Sequence, residues 1–292
     1  MTGSVREAIV AATATLAHAG IDSARIDAEL LAAYAAGTER GRLALLDAVD
    51  TGFHERFSDA IAARARRIPL QHITGTVAFG PVQLQVGPGV FIPRPETEAL
   101  LQWALAQTLP PEPMVVDLCT GSGALAIALA LGRPGSRVVA VDDDAAALDY
   151  ARRNAVSAAN SAAASIDVRI VAGDVTDPDL LPELVGAVDL VVANPPYIPA
   201  GVELEPEVAQ HDPAHALFGG ADGMAVIRPI VRRAADWLRP GGLLAVEHDD
   251  TTSAATVEAI CGTAAFVDVA SHRDLTGRPR FVTARAGYGI EK

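Results

Sequence analysis

Cysteine is nearly absent from this 292-residue chain: Cys119 and Cys261 are the only two, and no paired spacing joins them. That excludes a disulfide framework or a zinc ribbon and fits a reducing compartment, so a cytoplasmic location is expected. Basic residues are also in deficit, with 23 Lys and Arg against 36 Asp and Glu, for a formal net charge of −13. Such a chain has no overall attraction for nucleic-acid phosphates or anionic membrane surfaces, and neither is expected as a direct partner. Long apolar runs are missing too. The longest, Ala124 to Leu131, falls far short of the roughly 20 residues that span a bilayer. The opening Met1-Thr-Gly-Ser-Val-Arg-Glu7 lacks the basic-then-apolar order of a signal peptide, so no secretion is expected. Aromatic residues make up only 4% of the chain, alanine is abundant, and no internal repeat is evident.

What is present is enough apolar material for a large core, since half of the residues are hydrophobic, and two domains are the natural expectation. Ser4-Val-Arg-Glu7 has the form of a helix capping box, with Val5, Ile9, Ala12 and Leu16 following at helical spacing up to Gly20. A second helix from Asp22 to Gly37 places Ile26, Leu30, Leu31 and Tyr34 on one face, which reads as its core side. A third segment spans Arg40 to Val49, and a fourth runs from Phe53 to Ile68. Arg64, Arg66 and Arg67 then read as a solvated helix end that suits the helix dipole. Period-two patterning in Thr76-Val-Ala-Phe79 and Val82-Gln-Leu-Gln-Val86 around Gly80-Pro81 predicts a hairpin. A stiff loop, Gly87 to Glu98, leads into a helix that ends near Gln107, and the loop reads either as packing over a neighbouring site or as a hinge.

Beyond it strands and helices alternate as in a doubly wound α/β sheet. Seven strands are expected: Met114 to Leu118, Arg137 to Asp142, Asp167 to Ala172, Val188 to Ala193, Leu243 to His248, Ala265 to Ser271 and Pro279 to Arg285. Helices fall at Ala124 to Leu131, Ala145 to Asn154 and Val226 to Trp237, with Ser157 to Ser165 as a surface loop. The organisation is thus a helical bundle over 1–70, a β-hairpin linker over 71–95 and an α/β domain over 96–292.

Chemistry gathers at the strand ends. Asp117-Leu-Cys119-Thr120-Gly121-Ser122-Gly123 opens into a helix, and residues without a Cβ let backbone approach a ligand. Asp142 ends the next strand, placed to accept from ribose hydroxyls. Asp174 ends the one after, placed to accept from an adenine amine, with Val175 beside the base. The apolar run Val188 to Ala193 stops at Asn194-Pro195-Pro196-Tyr197. Proline lacks an N–H, so this corner offers chiefly acceptors, and with the Asn194 side chain and the Tyr197 ring it suits a planar NH2 group. A plain strand exit is the bland alternative. Gly121-x-Gly123-x-x-Ala126 also satisfies a dinucleotide fingerprint, which leaves an NAD-dependent dehydrogenase as a competitor. The histidines show no metal-ligand spacing beyond His211-x-x-x-His215, which Asp212-Pro213 interrupts, and no metal is expected.

Asp117-x-x-Thr120-Gly121-x-Gly123 resembles the loop of S-adenosylmethionine-dependent methyltransferases. Taken with Pro69 to Gly75, Ile92 to Glu98, Asn194 to Ile198, Glu207-Val208, Asp212-Pro213, Gly219-Gly220-x-Asp222-Gly223, Leu238-x-Pro240-Gly241-Gly242 and Asp274 to Arg280, nearly the whole chain is similar to the peptide-chain release factor glutamine methyltransferases. The resemblance implies a Rossmann-like methyltransferase domain, S-adenosyl-L-methionine as cofactor, and methyl transfer to the side-chain amide nitrogen of the glutamine in a release factor's Gly-Gly-Gln motif. It further implies cofactor contacts from Cys119, Thr120, Gly121, Ser122, Gly123, Asp142, Asp174, Val175 and Asn194. Substrate contacts would come from Asn194, Pro195, Pro196 and Tyr197, with Asn194, Pro195 and Tyr197 acting in catalysis. Release factors are the expected partner and a monomer the expected state. An adenine-N6 methyltransferase shares the proline-rich tetrapeptide and remains the first alternative. Three departures stand out. Cys119 takes a position where the family has glycine, implying a loop conformation open to a Cβ. Val175 replaces an aromatic residue, and Glu247-His248-Asp249-Asp250 departs from the family pattern. None of these is expected to touch the methyl-transfer edge.

Overall fold

The computed structural model describes residues 4–46, 49–161, 165–274 and 276–287. In chain order the elements begin with helices α1 (Val5–His18), α2 (Ala24–Ala35), α3 (Phe53–Ala65) and α4 (Leu70–Thr74), then strands β1 (Thr76–Phe79) and β2 (Val82–Gln85). Next come α5 (Glu98–Ala106), β3 (Met114–Leu118), α6 (Ala124–Gly132), β4 (Arg137–Asp142), α7 (Ala145–Ser161), β5 (Asp167–Ala172) and β6 (Val188–Ala193). The chain continues with α8 (Pro206–His211), α9 (Ile227–Trp237), β7 (Leu238–Glu247), α10 (Ser253–Cys261), β8 (Phe266–Arg273) and β9 (Pro279–Ala286). Two compact units form: Met1–Thr76 with Leu204–His211, and Val77–Glu203 with Asp212–Lys292.

In the first unit the capping box is made in full. Glu7 N–H donates to Ser4 Oγ at 3.3 Å, and Ser4 N–H donates to Glu7 Oε2 at 2.9 Å. Ile9, Leu16, Leu31, Phe53 and Phe57 build the core. The expected inward face of α2 is corrected, because Ile26 and Tyr34 are exposed while Ala24, Asp27, Ala28, Leu31, Ala32 and Ala35 face inward. The reason is a buried ion pair. Arg64 Nε donates to Asp27 Oδ2 at 2.7 Å, and an Asp that must keep this partner turns its own helix face, rich in small alanines, toward the core. Arg64 therefore does not lie on a solvated helix end: it is 5% exposed and also meets Glu207 of α8 at 3.0 Å. Arg67 hydrogen-bonds the carbonyls of Ala19 and Gly20 and meets Glu207 at 3.5 Å, and only Arg66 stays in solvent. The third segment is a 3-10 turn over Arg40–Leu45, with residues 47 and 48 outside the described part.

In the second unit the seven-stranded sheet runs β5-β4-β3-β6-β7-β9-β8. Strands β3 to β7 are parallel, and β9 is antiparallel to both its neighbours. The chain moves outward from β3 to β5 and then returns to place β6 on the other side of β3. That reversal opens a crevice at the carboxyl ends of β3 and β6, where ligands of such sheets bind. Buried runs such as Val188–Ala193 and the wholly apolar Ala124–Ala130 of α6 fill the layers. The expected loop at Ser157 is corrected: α7 continues to Ser161, buries Ala158 and leaves residues 162–164 outside the described part. Strand β7 starts at Leu238, so Pro240-Gly241-Gly242 lies within it, opposite a register shift in β6.

Candidate active site

A cavity of about 370 Å³ opens at the carboxyl ends of β3, β4, β5 and β6. Its floor is the glycine turn. Thr120 N–H donates to the Val141 carbonyl at 3.0 Å, and Gly123 N–H to the Thr120 carbonyl at 2.9 Å. Asp117, 1% exposed, braces the turn from below: its Oδ2 accepts from Thr120 Oγ1 at 2.6 Å and from Ala126 N–H at 3.1 Å. Burial raises the Asp117 carboxyl to about 7, against the pull of those two hydrogen bonds, and its Oδ1 has no partner. Gly121 at φ +57° and Gly123 at φ +85° occupy the left-handed region. A Cβ at Gly123 would come 2.9 Å from Ile127 and 3.4 Å from the Ala151 backbone, so α6 and α7 both press on the turn. Asn154 of α7 seals it from the side, donating from Nδ2 to the carbonyls of Ser122 at 2.9 Å and Gln85 at 3.0 Å.

Cys119 corrects one expectation. The loop does not open to accommodate a Cβ; Cys119 itself sits at φ +59°, a conformation that costs an L-residue about 1–2 kcal/mol. Its thiol is pushed well above the usual range by desolvation and by the carboxylates of Asp142, Asp143, Asp117 and Asp174. The same carboxylates give the cavity a negative potential. Asp142 Oδ2 accepts from Gly121 N–H at 2.8 Å and Oδ1 from Asp144 N–H at 3.0 Å, so each oxygen keeps a lone pair for a ligand. Burial raises the Asp142 carboxyl. Asp174 is exposed at the rim, its Oδ1 accepting from Thr176 N–H and hydroxyl, both at 2.7 Å. Val175 is 8% exposed and joins the core while lining the cavity. His215 reaches Asp144 at 3.4 Å, and His211 stacks edge-on to His72, so the two histidines of the spaced pair have different partners.

The opposite wall is the proline corner. Asn194 and Pro196 line the cavity, Pro195 is buried, and the half-buried Tyr197 packs its ring on the core. Asn194 Nδ2 donates to Thr97 Oγ1 at 3.2 Å, which leaves Oδ1 as the free acceptor. The stiff loop before α5 thus does pack over the site, with Thr97 3% exposed and Phe91 and Pro93 on the lining. Thr97 was legible only as part of the Ile92 to Glu98 motif, since no local pattern marks a threonine as the partner of a residue 97 positions away. Glycines set the corner from behind. A Cβ at Gly219 would stand 2.6 Å from the Pro196 carbonyl oxygen, and one at Gly223 only 2.3 Å from that of Tyr197. Ile198 N–H donates to the Leu217 carbonyl at 2.9 Å, and Gly219 N–H to that of Ile198 at 2.9 Å, pinning the two segments together. The segment at Glu247 also departs from expectation, because it does reach the corner: Tyr197 Oη donates to Glu247 Oε1 at 3.0 Å.

These residues fit a cationic adenosine donor. The acidic lining complements a sulfonium and an ammonium, the turn is open at Gly121, where a Cβ would meet nothing within 4 Å, and a free amide oxygen stands at the far wall. Among the described residues no group of His, Cys, Asp and Glu is arranged to hold a metal ion. No helix among them is long and apolar enough to cross a membrane.

Comparison with known proteins identifies the family. Residues 7–75 match the family described as PrmC N-terminal domain, and residues 96–270 match the methyltransferase small domain. A release factor glutamine methyltransferase of Mycolicibacterium smegmatis is 65% identical over 280 residues, covering 96% of this chain and 97% of that protein. One of Mycobacterium tuberculosis is 61% identical over 285 residues, covering 96% and 91%. Among solved structures, a methyltransferase from Pyrococcus furiosus shares the fold, with a TM-score of 0.53 at 18% identity over 78% of this chain and 100% of that one. With a glycine turn, an acidic cavity, a proline corner and relatives this similar along almost their whole length, the chain belongs to the release factor glutamine methyltransferase family.

Proposed function

We propose that this chain methylates the side-chain amide nitrogen (N5) of the glutamine in the Gly-Gly-Gln motif of peptide-chain release factors, with S-adenosyl-L-methionine as donor. The observation that carries this reading is the Asn194 amide: its Nδ2 is engaged by Thr97 and its Oδ1 is left to accept at the cavity wall. Cys119, Thr120, Gly121, Ser122, Gly123, Asp142, Asp174 and Val175 hold the cofactor. Bound there, it supplies an electrophilic methyl group on a positively charged sulfur.

The task left to the protein is orientation. An amide nitrogen is a weak nucleophile because its lone pair is delocalised into the carbonyl. Asn194 Oδ1 and the Pro195 carbonyl accept the two hydrogens of the glutamine NH2, holding its plane and favouring the charge that develops on nitrogen. Pro196 and Tyr197 stiffen and wall the corner, and the Tyr197 hydroxyl is anchored on Glu247. The substrate is a protein, which agrees with the acidic chain; a nucleic-acid substrate would demand a basic face that a net charge of −13 does not favour. The reading extends to a helical domain over 1–70 that recognises the release factor, a linker over 71–95, a catalytic domain over 96–292, and a cytoplasmic monomer.

The test is incubation with isotope-labelled S-adenosylmethionine and a purified release factor, either wild type or with the motif glutamine replaced. Label located on that glutamine by mass spectrometry, and lost with its replacement, is the expected result. Label on nucleic acid, or none on the release factor, rejects the assignment.

A further inference from the structure

Behind the proline corner lies a group of polar side chains that reaches the cavity only through Thr97 and Asn194. Its centre is Glu247, the last residue of β7, 1% exposed. Glu247 Oε1 accepts from Tyr197 Oη at 3.0 Å. The Thr97 hydroxyl lies against the same carboxyl and favours its ionised form, while Glu247 Oε2 has no partner of good hydrogen-bond geometry. Thr97 Oγ1 in turn accepts from Asn194 Nδ2 at 3.2 Å. One buried carboxyl thus touches Tyr197 directly and reaches Asn194 through a single hydroxyl. The other charges facing it are Arg280 from β9 and Glu96 from the turn before α5. Arg280 is itself held by Asp274 at 3.2 Å, and the neighbouring His248 places Nδ1 2.7 Å from the Asp249 carbonyl.

We propose that Glu247 is a positioning residue for methyl transfer: as an acceptor-only carboxylate it draws the hydroxyl hydrogens of Tyr197 and Thr97 and thereby fixes which way round the Asn194 amide lies. The inference rests on the reading that Asn194 holds the substrate amide. A carboxylate offers only lone pairs. A threonine hydroxyl whose one hydrogen points at Glu247 presents only lone pairs to its other neighbour, so Asn194 must turn Nδ2 toward Thr97. Its Oδ1 then faces the other way, ready to accept from an NH2. Protonated Glu247 carries a hydrogen of its own and can donate to Thr97. The hydroxyl is then free to donate to Asn194, the amide turns over, and an NH2 group meets the incoming NH2. Burial pushes the Glu247 carboxyl up to about 7, opposed by Thr97, Tyr197 and Arg280 and reinforced by Glu96, so the two orders exchange near neutral pH. Turnover therefore rises with pH through that range.

The test compares the full chain with Glu247→Gln, Thr97→Val and Thr97→Ser, using labelled S-adenosylmethionine and a purified release factor. Gln brings a hydrogen-bond donor into a place that requires acceptors alone. Glu247→Gln is expected to lower kcat by about tenfold or more, to leave the cofactor KM within about twofold, and to abolish the rise of kcat with pH. Thr97→Ser, which keeps the hydroxyl, is expected to exceed Thr97→Val in kcat by about tenfold. A second measurement needs no turnover. The side-chain NH2 signal of Asn194 in a nitrogen–proton correlation spectrum, assigned with Asn194→Ala, should titrate with a midpoint near the Glu247 value of about 7. In Glu247→Gln, and in Thr97→Val if Glu247→Gln fails to fold, that titration should vanish. Wild-type kcat and pH profile in Glu247→Gln overturn the proposal. So does an Asn194 signal that is flat in the wild type or unchanged in the variants. A wild type that titrates yet leaves the release factor unlabelled rejects the substrate assignment and supports the link between Glu247 and Asn194.

Discussion

The two walls of the cavity are held by opposite means. On the glycine side the turn is braced from within, since Thr120 bonds Asp117 and Gly123 bonds Thr120, and its outer partners, Val141, Asp142 and Asn154, come from the next strand and the helix after it. On the proline side Asn194 and Tyr197 depend on Thr97, Glu247, Gly219 and Gly223, which come from three other segments of the chain. A wall of the first kind is carried by its own motif and the strand–helix unit that follows it. One of the second kind is only as rigid as the distant parts that press on it.

Gly223→Ala is the strongest way to break that contrast, because it alters the proline side from 26 positions beyond Tyr197 without touching the cavity lining. A Cβ at φ +74° and 2.3 Å from the Tyr197 carbonyl oxygen forces the corner to move. Loss of about 3 kcal/mol or more in urea unfolding is expected, together with kcat reduced more than cofactor affinity. Wild-type turnover and stability would show that the corner does not depend on its support.

The glycine side is best probed by pH. Its Asp117 carboxyl is raised from 3.8 to about 7, so the stability it confers is full below about 3.8 and is lost as pH rises through about 7. Asp117→Asn keeps an acceptor for Thr120 and Ala126 and removes the charge. The unfolding free energy of the variant relative to the wild type should therefore shift in its favour by on the order of 3 kcal/mol between about pH 4 and pH 8, measured without cofactor. A constant difference would show that Asp117 is ionised throughout.

Asp142→Ala sharpens the comparison further. It should weaken S-adenosylmethionine binding by about tenfold to a hundredfold in calorimetry, while turnover at saturating cofactor changes much less. The reverse pattern would make Asp142 part of the transfer step. The smallest effect belongs to Cys119→Gly, which relieves the residue at φ +59° and should raise stability by about 0.5–1 kcal/mol in thermal unfolding.

What could be read from the linear chain follows the same division. Strands β3, β4 and β6 fell where short runs dominated by valine, leucine and alanine place them, because a strand buried on both faces has no alternative exposure to confuse the pattern. The inward face of α2 was not legible. Ile26 and Tyr34 out-rank alanine in any hydrophobic pattern, yet a partner for Asp27 lay 37 residues away in Arg64, and burial of that pair set the rotation of the helix. Glu247 was invisible in the same sense: the first acid of Glu247-His248-Asp249-Asp250, after an apolar strand, looks like a strand end entering solvent, and only the arrival of Tyr197 and Thr97 from elsewhere shows it is enclosed.

The order of apolar runs, the glycines after β3 and the prolines after β6 were sufficient by themselves to dictate a parallel sheet with a ligand edge, since each acts through neighbouring backbone. Which carboxyls are buried, which strain Cys119 bears and which way the Asn194 amide points were decided only in three dimensions. Those properties depend on groups that are distant along the chain and meet only after folding, where loss of water makes each contact count.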